Sequence, residues 1–235
     1  EAKNVASVAD ESGLIVMEAF HWRYHRMAER IGQIIASGEI GDVQHIEMAM
    51  CFPLPLFSDI RWQWDLAGGS LMDAGCYCVS ITRFLAGAEM ATQPEVVYAK
   101  SKTLSGGNID RWTTADLAFK NGVTAKVTAA MWSSSLLKLK AKIIGSRGEV
   151  HVLNPVLPQL FNRITVKAGG KRRTEKVEGE TSYTAQLRAF KAAVGGDAAK
   201  NITNTQYAIT NMSILDEIYQ KAGLPLRQSF ADISI

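Results

Sequence analysis

Cysteine is scarce in this sequence. Its 235 residues include three cysteines, Cys51, Cys76 and Cys78. So sparse and odd a set implies no disulfide framework and is typical of a reducing compartment, where cysteine usually serves as a small core residue. The C-x-C pair at Cys76 and Cys78 also has no second pair to complete a zinc site. We therefore expect a cytoplasmic protein with reduced thiols.

Long apolar runs are missing as well. No apolar stretch is long enough to span a bilayer, and no cluster of positive charge leads into an apolar run near residue 1. We predict no membrane partner. For the four histidines, His21, His25, His45 and His151, we predict no role as metal ligands.

The sequence has no extended basic stripe. The formal net charge is +3, and the densest basic run, Lys171 to Arg173, follows a Gly-Gly pair and precedes alternating glutamate and lysine. This pattern favours a solvated hairpin tip over a phosphate-binding surface, so nucleic acid is not an expected partner. A hydrophobic share of 47% and a charged share of 21% are typical of a folded domain with a packed core.

The first 24 residues have the pattern of an α/β unit. Residues 1–12 predict an amphipathic helix that ends at Gly13, and the apolar run 14–20 predicts a strand buried on both faces. No parallel neighbour for such a strand follows. We therefore interpret residues 1–24 as the remnant of an α/β domain and expect that a preceding segment belongs to it. Residues 25–235 would form the second domain.

The second domain is predicted to be α+β. A helical stripe ends at Gly38, a long helix runs from Gly68 to Gly87, and two helices cover 183–194 and 205–222. Between them lies a succession of strands, with Asn121-Gly122 as a hairpin signal. The predicted strands are 43–51, 96–100, 113–119, 123–132, 136–144, 149–153 and 164–167. We expect a large, open, mostly antiparallel sheet with helices on one face.

The long helix from Gly68 carries the candidate chemistry. Asp73 and Tyr77 are four residues apart, so a helix places their side chains on one face and within reach of a single site. Asp73 would need a hydrogen-bond or ionic partner to be buried there, and the helix N-terminus favours its ionised form. A tyrosine so placed can donate a proton to a developing alkoxide. The alternative is that Asp73 caps the first turn and Tyr77 packs with its hydroxyl at the surface.

Several segments resemble one known family, the Gfo/Idh/MocA oxidoreductases, and within it the branch of dihydrodiol dehydrogenase and glucose-fructose oxidoreductase. The similarity covers essentially the whole chain, and the D-x-G-x-Y helix (residues 73–77) is fairly specific. The resembling segments are 17–25 (MEAFHWRYH), 38–43 (GEIGDV), 68–77 (GGSLMDAGCY), 145–149 (GSRGE) and 211–225 (NMSILDEIYQKAGLP).

The resemblance implies an enzyme in which a dinucleotide-binding Rossmann domain precedes this domain. Tyr77 matches the family's catalytic tyrosine and Asp73 the acidic residue that lines the same pocket. Arg23 and Tyr24 match a segment that approaches the nicotinamide end of the cofactor. The lysine that pairs with the tyrosine belongs to a Glu-Lys-Pro motif upstream of the first helix and is not in this sequence. Because no G-x-G-x-x-G opens a strand-to-helix turn here, we expect this chain alone to bind NAD(P) poorly or not at all.

Secondary candidates have structural alternatives. Arg61 and Trp62 precede the Asp73 helix, where they could wall a sugar or a small carbonyl substrate. Trp62 could equally belong to the core, and Arg23 could form an ion pair between domains. Cys76 is interpreted as a packed small residue and not as a nucleophile.

Two functions follow from these observations. The first is an NAD(P)-dependent oxidoreductase that transfers hydride between the nicotinamide and a sugar-like or diol substrate, with Tyr77 as acid/base. The rival is a non-catalytic module whose open sheet drives self-association as a homodimer or a larger homo-oligomer. For the rival, the alternating apolar residues Val123, Ala125, Val127 and Ala129 were expected on an exposed sheet face.

Overall fold

The structure, a computed structural model, describes residues 1–87 and 93–227. The helices of that part of the chain are α1 (Ala2–Ser12), α2 (Arg26–Ala36), α3 (Cys76–Leu85), α4 (Ser182–Val194) and α5 (Thr205–Lys221). The strands are β1 (Val43–Cys51), β2 (Glu95–Thr103), β3 (Asp110–Ala118), β4 (Thr124–Ala130), β5 (Lys138–Gly145), β6 (Gly148–Leu153), β7 (Arg163–Ala168) and β8 (Lys171–Glu175). None of these helices is both long enough and apolar enough to cross a membrane.

All the described strands form one sheet in the order β2-β3-β4-β1-β5-β6-β7-β8. Strands β2 to β4 and β5 to β8 are two runs of sequential antiparallel neighbours, because short turns join consecutive strands. The predicted turn at Asn121-Gly122 is one of them: Gly122 has a φ of 86°, and the Asn121 side chain accepts from the amide of Val123. Strand β1 joins the two runs and is parallel to β4.

The sheet is covered by helices on one face. Inward side chains alternate along each strand with polar outward ones, and the inward set packs with α2, α3 and α5 into a single core. Ile46 and Met48 of β1 and Ile143 of β5 are at most 1% exposed. The predicted fold class is therefore confirmed: an α+β arrangement with a large, open, mostly antiparallel sheet.

The apolar face proposed for self-association is not exposed. Val123, Ala125, Val127 and Ala129 are at most 4% exposed and lie in or against the core under the helices. Alternation along β4 places them on the inner face, because the helices cover only that side of the sheet. The outward side chains of this strand include Thr124 and Lys126. The prediction of an exposed apolar surface here is wrong.

The segment 14–20 is also not a strand. The preceding helix α1 is confirmed and ends at Gly13 in a left-handed conformation with a φ of 66°. The chain then runs without strand pairing, and Leu14 is 70% exposed. Within this segment, the backbone amide of Glu18 donates to the carbonyl of Thr203. A buried strand needs neighbours on both edges, and the described chain offers none here, so the apolar run remains an irregular extended segment.

The basic run at Lys171 belongs to a hairpin, as predicted. Gly169 and Gly170 form the turn between β7 and β8, with φ values of 56° and 71°. Arg172 is exposed, whereas Arg173 is paired with Glu39 and with Glu175. These contacts fasten the edge strand to the α2 end of the domain.

Candidate functional site

The candidate site begins at a widened helical turn. The sequence predicts one continuous helix from Gly68, but Leu71–Gly75 form a π-helical turn that leads into α3. The amide of Cys76 bonds the carbonyl of Leu71, five residues back. Gly75 suits this turn because a Cβ there would lie 2.5 Å from the side chain of Leu71. Such insertions in helices often occur at functional sites, and this one contains Asp73.

A buried carboxylate fixes the start of the turn. Asp110, at the first position of β3, is fully buried and accepts from the hydroxyl of Ser70 and the amide of Leu71, both at 2.7 Å. It also accepts from the Tyr219 hydroxyl at 2.9 Å and from Arg227 at 2.7 Å.

Gly69 makes room for this cluster. Its φ is 138°, and any Cβ at this position would collide with Asp110 and Arg227. Arg227 also donates to the carbonyl of Gly68 at 2.8 Å. Gly68 in turn lets the loop that carries Arg61 approach closely, because a Cβ there would lie 2.6 Å from the carbonyl oxygen of Arg61.

The helix and the neighbouring loops enclose a hollow of about 330 Å³, within the range of small-ligand sites. Three of the residues singled out from the sequence line this hollow: Arg61, Asp73 and Tyr77. The complete lining is His21, Met50, Phe52, Arg61, Asp73, Tyr77, Leu139, Asn154, Val156, Leu157 and Tyr183. The predicted common face of Asp73 and Tyr77 is thus confirmed as a shared wall.

Asp73 has the ionic partner that the sequence required. Arg61 Nε donates to its Oδ1 at 2.9 Å, and Arg61 also reaches Asp59 at 3.1 Å. Burial raises the pKa of Asp73, and the charge of Arg61 and its hydrogen bond oppose that rise. Asp73 and Arg61 form one ion pair at the rim of the hollow.

Tyr77 is half-buried between aromatic neighbours. Its ring meets Phe20 edge to face at 5.4 Å between centroids and lies 6.0 Å from the ring of His21. Burial raises the pKa of Tyr77, and the nearby Cys76 and Tyr183 add to the rise. Its hydroxyl makes no hydrogen bond with a described residue. The phenol thus keeps its proton in this chain and leaves it free for a ligand.

The other sequence candidates lie outside the hollow. Trp62 is 6% exposed, and its Nε1 donates to the carbonyl of Leu54, so it packs within its own loop. The guanidinium of Arg23 lies 4.1 Å from the ring centre of Phe84. The Tyr24 hydroxyl is 2.8 Å from that of Thr203. Of the six candidates, the structure brings Arg61, Asp73 and Tyr77 together.

Cys76 fits its interpretation as a packed residue. Its thiol lies 3.6 Å from the carbonyl of Asp73, and burial raises the pKa of the thiol, which disfavours a nucleophilic thiolate. The three cysteines are free thiols.

Sequence reasoning missed His21, Tyr183 and Asn154 as walls of the hollow. The rings of His21 and Tyr183 are stacked with centroids 4.2 Å apart. These residues are far apart in sequence and belong to different elements. No sequence spacing therefore indicates that they share a site. The one local signal was that His21 directly follows the apolar run and precedes Arg23 and Tyr24 in the resembling segment.

His21 and His25 are four residues apart, a spacing that helices use for metal ligands, but here each has another partner. His21 Nδ1 lies 2.8 Å from the Ser182 hydroxyl, and His25 Nδ1 accepts from the amide of Met27 at the start of α2. The described residues contain no cluster of three or more side chains suited to hold a metal ion.

We expect stability to fall in mild acid because of His21. Burial lowers the pKa of His21 to about 4, below the unfolded value of 6.5, so the unfolded chain binds the proton more readily. The stabilisation is complete above about pH 6.5 and is lost as the pH falls towards 4, by about 3 kcal/mol at most. Urea unfolding across this range measures it. His21→Gln should flatten the dependence while His45→Gln, on the outer sheet face, should not; equal curves for all three proteins would contradict this.

The open sheet with helices on one face defines an α+β sheet domain, with a hollow at the start of its central helix. Residues 28–151, more than half of the chain, match the family model of the GFO/IDH/MocA C-terminal domain. The protein belongs to the Gfo/Idh/MocA family. This confirms the membership that the sequence resemblance implied.

Relatives of known name are similar over much of the chain. D-xylose 1-dehydrogenase (NADP(+)) 2 of Haloferax volcanii is 30% identical over 223 residues, which are 94% of this chain and 66% of that protein. Trans-1,2-dihydrobenzene-1,2-diol dehydrogenase of Mus musculus is 28% identical over 155 residues, 65% of this chain and 44% of that protein. The chain therefore spans two thirds or less of the length of these relatives.

A solved structure shares the fold. Aldose-aldose oxidoreductase from Caulobacter crescentus, complexed with glycerol, has a TM-score of 0.85 at 20% sequence identity. The match covers 94% of this chain and 66% of that one. At this identity the likeness shows the architecture alone.

Proposed function

We propose that this chain is the substrate and catalytic part of an NAD(P)-dependent oxidoreductase that acts on an alcohol or carbonyl of a sugar-like or diol substrate. The observation that carries the proposal is the Tyr77 hydroxyl, which retains its proton and has no hydrogen-bond partner among the described residues, in a hollow lined also by Asp73 and Arg61. The relatives named for D-xylose and dihydrodiol oxidation support the reaction class.

In the direction of carbonyl reduction, Tyr77 donates its proton to the oxygen that becomes an alkoxide. When bound, a nicotinamide would supply the hydride. In the direction of oxidation, the same phenol oxygen receives the proton of the substrate alcohol, which requires Tyr77 to lose its own proton first. Burial opposes that loss, so a cation beside Tyr77 is needed. The lysine implied by the resemblance would provide it from outside this chain.

Asp73 and Arg61 are proposed to position the substrate. Because Arg61 holds Asp73 at 2.9 Å, the carboxylate remains available at the rim as a hydrogen-bond acceptor for a substrate hydroxyl. Arg61 retains further N–H groups that can donate to the same ligand. Trp62 keeps its assignment as a substrate-binding residue only indirectly, since it supports the loop from which Arg61 extends.

The residues of this chain are suited to contact the nicotinamide end of the cofactor but not to bind its phosphates. The Tyr77 hollow can receive a reacting carbon, but no glycine-rich strand-to-helix turn offers amides to a pyrophosphate. We propose Arg23 and Tyr24 as the residues near the cofactor, supported by their position in the short helical turn His21–Tyr24 that follows the segment 14–20. A dinucleotide-binding domain must hold the rest, with residues 1–24 as its last part and 25–235 as the substrate domain.

The proposal has two further parts, the compartment and the oligomeric state. The free thiols favour a reducing compartment such as the cytoplasm. Self-association through the outer sheet face, as a homodimer or a larger homo-oligomer, would have to rely on polar contacts, since that face carries ionic groups such as Lys142, Glu149 and Lys167. Light scattering at low and high salt tests it: a single monomeric mass at both would reject it.

The test of the oxidoreductase assignment compares two proteins. NADP and NAD are titrated into this chain alone and into a longer protein in which a family dinucleotide-binding domain precedes it. We expect nucleotide binding, and turnover with D-xylose or a dihydrodiol, in the longer protein only. If the longer protein binds no nucleotide, the assignment is wrong.

A further inference from the structure

His21 lines the hollow with one ring nitrogen already engaged. Its Nδ1 lies 2.8 Å from the hydroxyl of Ser182, which is fully buried. Ser182 in turn donates to Oε1 of Gln159 at 2.9 Å. A hydroxyl group has a single proton, so Ser182 cannot donate to His21 as well. The proton of the neutral imidazole must therefore be on Nδ1, and Ser182 accepts it.

This assignment makes the other nitrogen an acceptor. A neutral imidazole has one N–H, so Nε2 carries a lone pair. Nε2 makes no hydrogen bond with a described residue and is not closed off from solvent, and the His21 side chain lines the hollow. Stacking against Tyr183 holds the ring in place. Because burial lowers the pKa of His21 to about 4, the ring stays neutral at physiological pH.

We infer that His21 accepts, through Nε2, a hydrogen bond from a second hydroxyl of the substrate and thereby selects polyols over simple alcohols and ketones. The inference rests on the proposed function, because it places the reacting oxygen at Tyr77. The ring centroids of His21 and Tyr77 are 6.0 Å apart and both side chains line the same hollow, so one small ligand can contact both. A substrate without the second hydroxyl would leave a buried acceptor unpaired, which disfavours its binding.

The tautomer is measured on the chain itself. Two-bond proton–nitrogen NMR spectra of the nitrogen-15-labelled chain distinguish a protonated Nδ1 from a protonated Nε2, and the His21→Gln spectrum assigns the signals. We expect the Nδ1–H form at neutral pH. Ser182→Ala should weaken that preference, because it removes the acceptor that fixes the proton. A protonated Nε2 in the unaltered chain, which a reversed Gln159 amide would produce, overturns the inference.

Ligand binding supplies the second measurement, with D-xylose as the probe. We expect D-xylose to shift the Nε2 signal of His21, and His21→Phe to weaken D-xylose about tenfold, the value of one hydrogen bond. His21→Gln, whose amide oxygen can accept, should recover most of the affinity. His45→Phe, on the outer sheet face, is the matched control and should bind as the unaltered chain does.

The outcomes separate this inference from the proposed function. Equal D-xylose affinity in the His21→Phe and unaltered chains, or no D-xylose binding by the unaltered chain, would overturn the role of His21. Neither result bears on nucleotide binding and turnover by the longer protein, which decide the oxidoreductase assignment. Conversely, a longer protein that binds no nucleotide would remove the reaction while leaving the measured tautomer unchanged.

Discussion

Tyr77→Phe is expected to lower kcat of the protein that includes the dinucleotide-binding domain by about 10³-fold, within the range for loss of a positioned acid or base. The substitution removes one oxygen atom and leaves the ring in its contacts with Phe20 and His21. Since this hydroxyl has no hydrogen bond to a described residue, no buried protein partner is left unpaired. The loss should therefore appear in the rate of hydride transfer, followed by absorbance of the reduced nicotinamide.

A control variant and a binding measurement test whether the loss of kcat is specific to the Tyr77 hydroxyl. Tyr98→Phe removes the same atom from a side chain that is 46% exposed on β2, and it should leave kcat unchanged. The dissociation constant of NADP should be the same in both variants, because no nucleotide-binding group is altered. A Tyr77→Phe enzyme with an undiminished kcat would rule out the acid/base role and assign proton transfer to another group.

Asp110→Asn is expected to destabilise the domain by about 4 kcal/mol, the cost typical of breaking a buried ion pair from one side. The carboxylate is fully buried and accepts from Ser70, Leu71, Tyr219 and Arg227. An amide keeps one oxygen but turns an N–H group towards donors and leaves the charge of the buried Arg227 side chain unmatched. Urea unfolding at neutral pH measures the difference.

The matched control for Asp110 is on the same strand. Asp116→Asn makes the identical change at a half-buried position on the outer sheet face, and it should cost less than about 1 kcal/mol. The two variants should also differ at the hollow, because Asp110 fixes the Gly68-Gly69 loop and, through it, Arg61. If Asp110→Asn and Asp116→Asn unfold at the same urea concentration, the buried cluster contributes no specific stability.

The fold could be predicted from the sequence where the signal is local. The pattern of β1, the Asn121-Gly122 turn and the Gly13 helix end were all recognised, because residue periodicity and turn preference are properties of a few neighbouring residues. The prediction of the fold failed where the structure of a segment depends on which other segments pack against it. Residues 14–20 have the composition of a buried strand but no pairing neighbours among the described residues. The apolar residues of β4 alternate as in any strand with one covered face, and this alternation does not show whether helices or solvent cover that face.

The site was predicted in part for the same reason. Asp73 and Tyr77 share a helix, so their common face follows from helical geometry. Arg61 was found because it precedes that helix closely. His21, Tyr183 and Asn154 come from three other segments, and only tertiary packing brings them to the same hollow. The widened turn at Leu71–Gly75 was likewise not predicted, since no residue pattern separates it from an ordinary helical turn.

By itself the sequence determined the α+β class, the family and the acid and phenol of the candidate site, since these depend on periodicity and on short motifs. The tertiary structure alone decided which face of the sheet is buried, that burial raises the pKa of Asp73 and Tyr77, and which nitrogen of His21 already has a partner. These are properties of the surroundings of a side chain, and residues distant in the sequence make those surroundings.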